Sequence, residues 1–248
     1  MSASHLKDRI QAKIVTPESK RSYVRGLFGR IAGRYDLTND IMSAGLHRRW
    51  KRFVLELADI GPDDVVLDLA AGTGDLALRV AGRDGRGKGL VLAADLTVEM
   101  MQHGRSRGHA DKVRWMACDA MSLPLADASV DRVVVSYGLR NFPVLDHSIA
   151  EIRRVLRPGG RFVALDFGRA EPAWLQDAYV KYLEASTSVA GWLLHRDVES
   201  YRYIPESLRT YPAQRGVTAS MQRQGFVRCG SIDLVFGTMA VNFGDVPG

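Results

Sequence analysis

The middle of the chain alternates between two hydrophobic periods. Short apolar runs rich in β-branched residues lie near 64–69, 90–94, 112–117, 130–136 and 161–167. Segments with apolar residues at helical spacing lie between them, near 75–82, 97–107 and 146–156. Apolar runs that alternate with such segments are typical of βαβ units, whose parallel strands are buried on both faces. The pattern therefore predicts an α/β fold with a Rossmann-like core.

A second pattern begins after Phe167. Residues 172–209 have helical spacing and many aromatic side chains, which favours a helical lid over another βα unit. A helix near 214–223 is followed by two strands, near 226–234 and 237–243, close enough in sequence to form a hairpin. With the five earlier strands, this predicts a mostly parallel seven-stranded sheet with an antiparallel edge hairpin.

These breaks divide the chain into four parts. We expect a basic N-terminal helical arm at 1–58 and a cofactor-binding Rossmann-like core at 59–170. A helical lid that helps to bind a second substrate follows at 171–212, and a C-terminal helix and hairpin at 213–248 complete the sheet. The stretch "RPGG" at 157–160 is predicted to end a helix and turn the chain into the next strand.

Composition places few further limits on this picture. With 248 residues, 46% of them hydrophobic, the chain is long enough for one α/β domain with a substantial core. No run approaches the roughly 18 apolar residues of a membrane span. The two cysteines, Cys118 and Cys229, lie in no disulfide or metal-binding pattern. We expect a cytoplasmic protein with free thiols and without a metal site.

Positive charge is concentrated in the arm. The net charge is +6, and residues 1–52 hold twelve basic and four acidic residues, a net +8, so the rest sums to −2. Apolar side chains recur there at helical spacing: Tyr23, Val24, Leu27, Phe28 and Ile31. Such a segment packs on the domain or lies on an anionic membrane surface. We favour packing, with peripheral contact at the inner face of the membrane as an addition. Nucleic acid is excluded because no binding motif accompanies the charge.

The stretch "VVLDLAAGTGDLAL", residues 65–78, leads a strand through a glycine turn into a helix. Gly72 and Gly74 fit a dinucleotide fingerprint, in which a helix start binds a diphosphate. However, Asp68 and Asp75 flank the turn and would repel a diphosphate in a partly desolvated site. S-adenosylmethionine (SAM) has a sulfonium and an ammonium and no phosphate, so the two carboxylates favour SAM. The hydroxyl group of Thr73 is a further candidate contact.

Two more strand ends carry aspartates. Asp95 follows Gly74 by 21 residues, where a carboxylate can accept hydrogen bonds from both ribose hydroxyls. This role does not distinguish SAM from a dinucleotide, and Asp95 could equally cap the next helix. Asp119, after the third strand, is a candidate acceptor for the adenine amino group or a loop-capping residue.

Longer sequence motifs then narrow the choice between SAM and a dinucleotide as the cofactor. "YDLTNDIMSAGLHRRWKR" (35–52), "LDLAAGTGDLAL", "VSYGLRN", "RRVLRPGGRF" and "YRYIPESLRTYP" resemble the ubiquinone/menaquinone biosynthesis C-methyltransferases, class I SAM-dependent enzymes. The likeness runs from about Tyr23 to Phe226. It implies methylation of a ring carbon of a polyprenylated benzoquinol or naphthoquinol. It also implies that Thr73, Asp95, the Asp119–Ala120 pair and Ser136 hold SAM.

The resemblance is incomplete at two places. Thr38 stands where the family usually has Met, and Asn242 stands at a position usually occupied by His. The tail "FGTMAVNFGDVPG" also ends in an acidic, proline-bearing segment instead of an aromatic-basic one. If the tail helps to shape the acceptor pocket, an acceptor other than an ordinary quinol stays open.

Methylation of a phenolic ring carbon requires a group that removes the hydroxyl proton and a cation that stabilises the phenolate. Arg140 and Asn141 follow the fourth strand; Arg140 is too basic to take a proton, so we expect it to stabilise the phenolate. His47 is the chemically natural base, although an isolated histidine is more often structural. Tyr35 is a candidate to position the acceptor or relay a proton.

The lid supplies candidates for acceptor binding. The polar side chains of "YRYIPESLR" are Tyr201, Glu206, Ser207 and Arg209, and they could equally be ordinary surface groups. The expected partner is a small aromatic or quinol molecule, and a homodimer is compatible with the sequence. The alternatives are methylation of another phenolic metabolite, an NAD-dependent oxidoreductase and a non-catalytic SAM-binding scaffold.

Overall fold

The computed structural model describes residues 10–190 and 198–248. Within these ranges it describes the side chains of all residues except 188–190 and 198–201. It has one seven-stranded sheet in the order β3-β2-β1-β4-β5-β7-β6. The strands are β1 Val66–Leu69, β2 Val91–Asp95, β3 Val113–Ala117, β4 Val130–Ser136, β5 Leu156–Phe167, β6 Val227–Leu234 and β7 Met239–Asp245. The first five pair in parallel, and β7 pairs antiparallel with both β5 and β6. The predicted sheet and its edge hairpin are confirmed.

Nine α-helices are described in full within the ranges given above. They are α1 Pro17–Ile31, α2 Tyr35–Ser43, α3 His47–Leu57, α4 Asp75–Ala81, α5 Val98–Arg105, α6 Leu145–Val155, α7 Ala173–Ala190, α8 Val198–Thr210 and α9 Ala213–Arg223. Short 3₁₀ turns lie at Ala32–Arg34, Ala110–Lys112 and Leu139–Asn141. None of the helices described is long and apolar enough to cross a membrane.

Side-chain alternation along the strands places one hydrophobic cluster on each face of the sheet. Val133 and Val135 of β4 pack with α6 and α9, whereas Val134 packs on the other face with α3 and α4. A third, smaller cluster joins α1 to α8 and consists of Ile10, Val24, Leu27, Ile31 and Tyr203. The arm therefore packs as predicted, through an apolar stripe that includes Val24, Leu27 and Ile31.

Local sequence explains where two of these elements begin and end. Helix α1 starts at a capping box, in which the side chain of Thr16 accepts the amide hydrogen of Ser19 at 3.2 Å and Pro17 occupies the first turn. Helix α6 ends at Val155, as the "RPGG" stretch predicts. That stretch lies inside β5, however, and not in a separate turn. It forms an irregularity in the pairing with β4, in which Gly159 has a φ of +74°.

The atypical tail forms β7 and part of its surroundings. Asn242 is buried, and its Nδ2 donates to the carbonyl of Gln214 at 2.8 Å and to Oγ1 of Thr218 at 2.9 Å. Asn242 therefore fixes α9 to the sheet. The strand's first residue, Met239, lines a cavity described below.

Candidate active site

A cavity of about 710 Å³ lies at the carboxyl ends of β1, β2 and β4. The strand order reverses between β1 and β4, and α/β proteins bind ligands at such a switch point. Predicted cofactor residues that line this cavity, here called the cofactor cavity, are Gly72, Asp95, Asp119, Ala120 and Ser136. The structure therefore brings together five residues from four separate segments of the sequence.

The glycine turn has the conformation that its sequence requires. Gly72 and Gly74 have φ values of +57° and +75°, and a Cβ atom on Gly74 would lie 2.4 Å from the ring of Trp115. The amide of Gly72 donates to Oδ2 of Asp95 at 2.7 Å, and the amide of Thr97 donates to Oδ1 at 2.7 Å. Asp95 thus holds the turn and also lines the cavity, so ribose binding by Asp95 stays a prediction, whereas the N-cap of the next helix is Thr97.

Ser136 provides a direct test of whether the cavity suits a bound ligand. Its Oγ is buried and has no hydrogen-bond partner among the described residues. Since buried hydroxyl groups are rarely left unpaired, an oxygen or nitrogen of a ligand is expected to complete this site. A nucleoside that carries an amino-acid chain has such atoms, so the cavity fits SAM.

Helix α1 forms one wall of the cofactor cavity. Arg21 pairs with Oδ2 of Asp119 at 3.1 Å, while the amide of Met121 donates to Oδ1. The ammonium of Lys20 donates to the carbonyls of Arg140 and Phe142 at 2.9 and 2.8 Å. Burial and the nearby Arg140 lower the pKa of Lys20 to about 8. The helix is therefore fixed to two loops of the site by its basic residues.

A small polar cavity adjoins the cofactor cavity and shares Gly72 and Ser136 with it. Asp68 and Thr73 line this second cavity, where Oγ1 of Thr73 donates to Asp36 at 2.9 Å. The carboxylate of Asp68 accepts the amide hydrogen of Ala77 at 2.8 Å, and burial raises its pKa to about 7. Asp68 therefore anchors the start of α4.

The charge at the glycine turn differs from the sequence expectation. Asp75 pairs with Lys51 at 3.0 Å, Arg79 at 3.2 Å and Arg107 at 3.4 Å. Burial alone would raise the pKa of Asp75, but these three cations outweigh it and hold the pKa well below the ordinary value. Asp75 is compensated by these cations and does not repel a diphosphate, so the expectation of two free carboxylates at the turn is wrong for Asp75.

A third cavity, also of about 710 Å³, is mostly apolar and lies between the N-terminal helices and the lid helices. This apolar cavity is lined by Leu27, Phe28, Ile31, Tyr35, Thr38, Asn39, Met42, Ser43, Trp50, Tyr137, Arg140, Phe167, Tyr179, Leu183, Tyr203, Ile204 and Met239. Phe28, Tyr35 and Tyr137 line the cofactor cavity as well. The two large cavities are therefore separated by a shared wall of aromatic side chains.

Arg140 reaches the apolar cavity from the turn after β4. It is 4% exposed, and its Nη1 donates to the carbonyl of Tyr137 at 2.6 Å and to Asp166 at 3.1 Å. Although burial opposes the charged form, Asp166 raises the pKa of Arg140 above its ordinary value. The Nε–H group is buried and has no partner among the described residues. Arg140 is thus a cation paired with Asp166, and its buried Nε–H is available to a ligand.

Two other predicted catalytic residues border the cavities. Tyr35 lines all three of them, and Asn141 lines the cofactor cavity. The Nδ2 of Asn141 donates to the carbonyl of Tyr137 at 3.2 Å, and its Oδ1 accepts from the hydroxyl of Tyr203 at 3.0 Å. Asn141 is therefore held between the turn after β4 and the lid.

His47 is not among the residues that line the three cavities. It is buried at the start of α3, with Nε2 2.8 Å from Oδ1 of Asp40. Burial lowers its pKa, more than the hydrogen bond to Asp40 raises it. This position gives no support to His47 as the base, which stays a prediction.

Three of the four polar residues predicted on the lid, Glu206, Ser207 and Arg209, do not line the apolar cavity. Glu206 accepts from Gln11 at 2.8 Å and pairs with Arg209 at 3.1 Å, while Ser207 donates to the carbonyl of Ile204. None of the three lines the cavities described here. The side chain of Tyr201 lies outside the described part of the structure.

Of the residues that line the apolar cavity, only Tyr35 and Arg140 were predicted from the sequence as site residues. Tyr203 and Ile204 lie on the same helix as the predicted residues but face the cavity, as do Tyr179 and Leu183 of α7. Asn39 also lines it, and its Nδ2 is buried without a partner among the residues described. The repeated aromatic residues of 172–209 were the available signal.

Comparison with known proteins places this arrangement in a family. The chain is 39% identical to the ubiquinone/menaquinone biosynthesis C-methyltransferase UbiE of Methylococcus capsulatus over 236 residues, 94% of this chain and 95% of the relative. It is 41% identical to the UbiE protein of Acidiphilium cryptum over 229 residues, 91% of both chains.

A SAM-dependent methyltransferase from Aquifex aeolicus has the same fold. Its crystal structure superposes with a TM-score of 0.55 and 16% identity, covering 79% of this chain and 89% of that one. Since Asp75 is compensated, the assignment of SAM rests on the family and on the fit of the cofactor cavity. The model of the ubiE/COQ5 methyltransferase family matches residues 16–245, and the chain belongs to that family.

Proposed function

We propose that the protein transfers a methyl group from SAM to a ring carbon of a polyprenyl quinol, such as demethylmenaquinol or a benzoquinol precursor of ubiquinone. The observation that carries this proposal is the shared wall of Phe28, Tyr35 and Tyr137. Because an apolar cavity adjoins the cofactor cavity across that wall, a ring bound in one can approach a methyl donor bound in the other. Relatives that match more than 90% of the chain carry the same activity in their names.

The lining of the apolar cavity suits a substituted aromatic ring. Most of its side chains are aliphatic or aromatic, which favours burial of a ring and part of an isoprenoid chain. Arg140 and Asn39 line this cavity, and the Nε–H of Arg140 and the Nδ2 of Asn39 are buried donors without a partner among the described residues. Because an unpaired buried donor is costly, they favour an acceptor with ring oxygens over a pure hydrocarbon.

SAM supplies an electrophilic methyl group, and the side chains of the protein prepare the acceptor. Arg140 stays cationic, so it donates through Nε to a phenolate oxygen and stabilises the charge that makes the ring carbon nucleophilic. Burial, together with Tyr35 and Tyr179, raises the pKa of Tyr137 well above its ordinary value, so this wall residue stays neutral. Tyr35 and Asn141 orient the two molecules, and this alignment contributes much of the rate enhancement.

An Arg140→Lys variant tests the proposal. Lysine keeps a positive charge beside Asp166 but cannot place a donor at Nε. We expect transfer of labelled methyl from SAM to demethylmenaquinol to fall about 100-fold, with the Kd for SAM, measured by calorimetry, within about twofold. Arg169→Lys, at an exposed position, is the matched control and should leave both values unchanged.

Three results would contradict the proposal or favour an alternative. Full turnover in the Arg140→Lys variant would remove Arg140 from the chemistry. Faster turnover with simple phenols than with quinols would favour a different phenolic acceptor. If the wild-type protein bound SAM but methylated no member of a panel of benzoquinols, naphthoquinols and phenols, the non-catalytic scaffold would be the better interpretation.

The same geometry supports peripheral contact with an anionic membrane, which we propose as the route to a prenylated acceptor. On α2, Leu37 and Ile41 are 49% and 52% exposed, whereas Thr38 and Asn39 line the apolar cavity. Apolar side chains thus lie on the outer surface beside the cavity, on an arm with a net charge of +8 in residues 1–52. Formation of a homodimer stays a prediction, which sedimentation equilibrium would check.

A further inference from the structure

The polar cavity contains a cation that the proposed reaction does not use. Lys51 lies on α3 and lines this cavity of about 320 Å³ together with Asp68, Thr73, Asp75 and Ser136. It is only 5% exposed. A lysine is seldom buried to this degree without a specific partner. The groups around Lys51 therefore indicate what its ammonium binds.

Asp75 accounts for only part of the bonding capacity of Lys51. The Nζ atom is 3.0 Å from Oδ2 of Asp75, its one hydrogen-bond partner among the described residues. An ammonium has three donors, so two remain. Asp75 is also paired with Arg79 and Arg107, and the cations around this carboxylate therefore outnumber it. Because Asp75 retains two other cations, the two remaining donors of Lys51 are available to an anionic group in the cavity.

The position of the polar cavity identifies which anion fits. It shares Gly72, Ser136 and Tyr35 with the cofactor cavity, so a molecule bound in the larger space extends into the smaller one. The amino-acid end of SAM carries one carboxylate and one ammonium. Lys51 matches the carboxylate, while Asp68 and the unpaired hydroxyl of Ser136 can accept hydrogen bonds from the ammonium.

We propose that Lys51 binds the α-carboxylate of SAM and thereby fixes the amino-acid end of the cofactor. The inference rests on SAM as the cofactor of the proposed function, but not on the identity of the acceptor. Charge-assisted hydrogen bonds from a buried ammonium are strong and directional. The residue therefore acts in cofactor binding and contacts no acceptor.

This role is tested by calorimetry, in which the affinities of two ligands for the wild-type protein and for one variant are compared. The ligands are S-adenosylhomocysteine and its decarboxylated form, which retains the ammonium. Lys51→Met should weaken S-adenosylhomocysteine about ten- to hundredfold, the contribution expected of one hydrogen bond between charged groups. The same substitution should change the affinity for the decarboxylated ligand by less than about threefold, because that ligand has no group for Lys51 to bind.

Arg79→Met is the matched control. Arg79 also pairs with Asp75, at 3.2 Å, but it is not among the residues that line the polar cavity. It should leave both affinities within about twofold. In the Lys51→Met variant Asp75 still pairs with Arg79 and Arg107, so that variant is expected to fold. A second variant, Lys51→Arg, keeps a cation and should recover part of the preference for the ligand with the carboxylate.

Equal weakening of both ligands, or of neither, by Lys51→Met would overturn the assignment. The same holds if Arg79→Met reproduced the selective loss, since the effect would then act through Asp75. Failure of the proposed function looks different: the wild-type protein would bind neither adenosyl ligand, or would bind both normally and methylate no quinol.

Discussion

Asp68 illustrates the residue scale, because its carboxyl group is only 2% exposed and accepts the amide hydrogen of Ala77. Burial raises its pKa from 3.8 to about 7. Between these values the unfolded chain has released the proton and the folded protein has not. The contribution of Asp68 to stability is therefore complete below about pH 4 and is lost as the pH rises to about 7.

Asp68→Asn should remove this pH dependence while it keeps an oxygen that can accept from Ala77. Relative to the variant, the free energy of unfolding of the wild-type protein should fall by about 4 kcal/mol between pH 4 and pH 8, because each tenfold change in proton affinity corresponds to about 1.4 kcal/mol. Urea unfolding of both proteins across this pH range measures the difference between their free energies of unfolding. Other titrating groups are common to both proteins, so their contributions cancel in this difference. Parallel pH profiles for the two proteins would contradict the burial effect.

Several residues that form the glycine turn and line the cofactor cavity could be predicted one by one because their signals are local. Gly72 and Gly74 sit in a turn whose shape only glycine tolerates, and Asp95 follows a strand at a recognisable distance. The compensation of Asp75 could not be predicted. Its partners Lys51 and Arg107 come from α3 and from beyond α5, and nothing in the sequence places them beside the turn.

At the scale of single elements, the bounds of the strands were largely predictable, except that β5 begins at Leu156 and not near 161, and the orientation of the peripheral helices was not predictable. The strands of the core are continuous apolar runs, so their limits follow from composition. On α8, by contrast, Tyr203 and Ile204 face the apolar cavity whereas Glu206 faces Gln11. Which side of such a helix faces inward depends on the packing of α1 against it, which the pattern of α8 alone does not contain.

Helix α1 should open as a unit, because its apolar stripe belongs to a cluster separate from the two that cover the sheet. Leu27 is 1% exposed in that cluster. Leu27→Ala removes about 2–5 kcal/mol of packing, so hydrogen exchange of residues 17–31 should accelerate at least about 30-fold while β4 is unchanged. Mass spectrometry of peptides from both regions measures this.

Ile149→Ala is the control, because Ile149 lies in the cluster on one face of the sheet that also contains Val133 and Val135 of β4. This variant should accelerate exchange in β4, which Leu27→Ala should not. Bound S-adenosylhomocysteine should slow exchange in α1, since Arg21, Val24 and Phe28 line the cofactor cavity. If Leu27→Ala accelerated β4 and α1 alike, α1 would not be an independent unit.

For the whole molecule, membrane contact is the property with the clearest test. Leu37→Ser combined with Ile41→Ser removes two exposed apolar side chains beside the apolar cavity. Binding to vesicles that contain phosphatidylglycerol should fall at least about tenfold, because each buried methylene contributes about 0.8 kcal/mol. Co-sedimentation at low and high salt measures this, and binding by the wild-type protein should weaken with salt.

Leu90→Ser is the matched control, since Leu90 is also 49% exposed but precedes β2, at the amino ends of the parallel strands and away from the cavities. It should not change vesicle binding. Equal loss in both variants would indicate a general effect of surface hydrophobicity, and no loss in either would remove α2 from the contact.

The shared aromatic wall has a consequence for inhibition. Phe28 of α1 borders both large cavities, and α1 covers the cofactor cavity through Arg21 and Lys20. A compound that filled the apolar cavity and packed against Phe28 would hold α1 over the S-adenosylhomocysteine that remains after methyl transfer. It would lengthen the residence time of S-adenosylhomocysteine, so its potency would increase as that product accumulates in the cell.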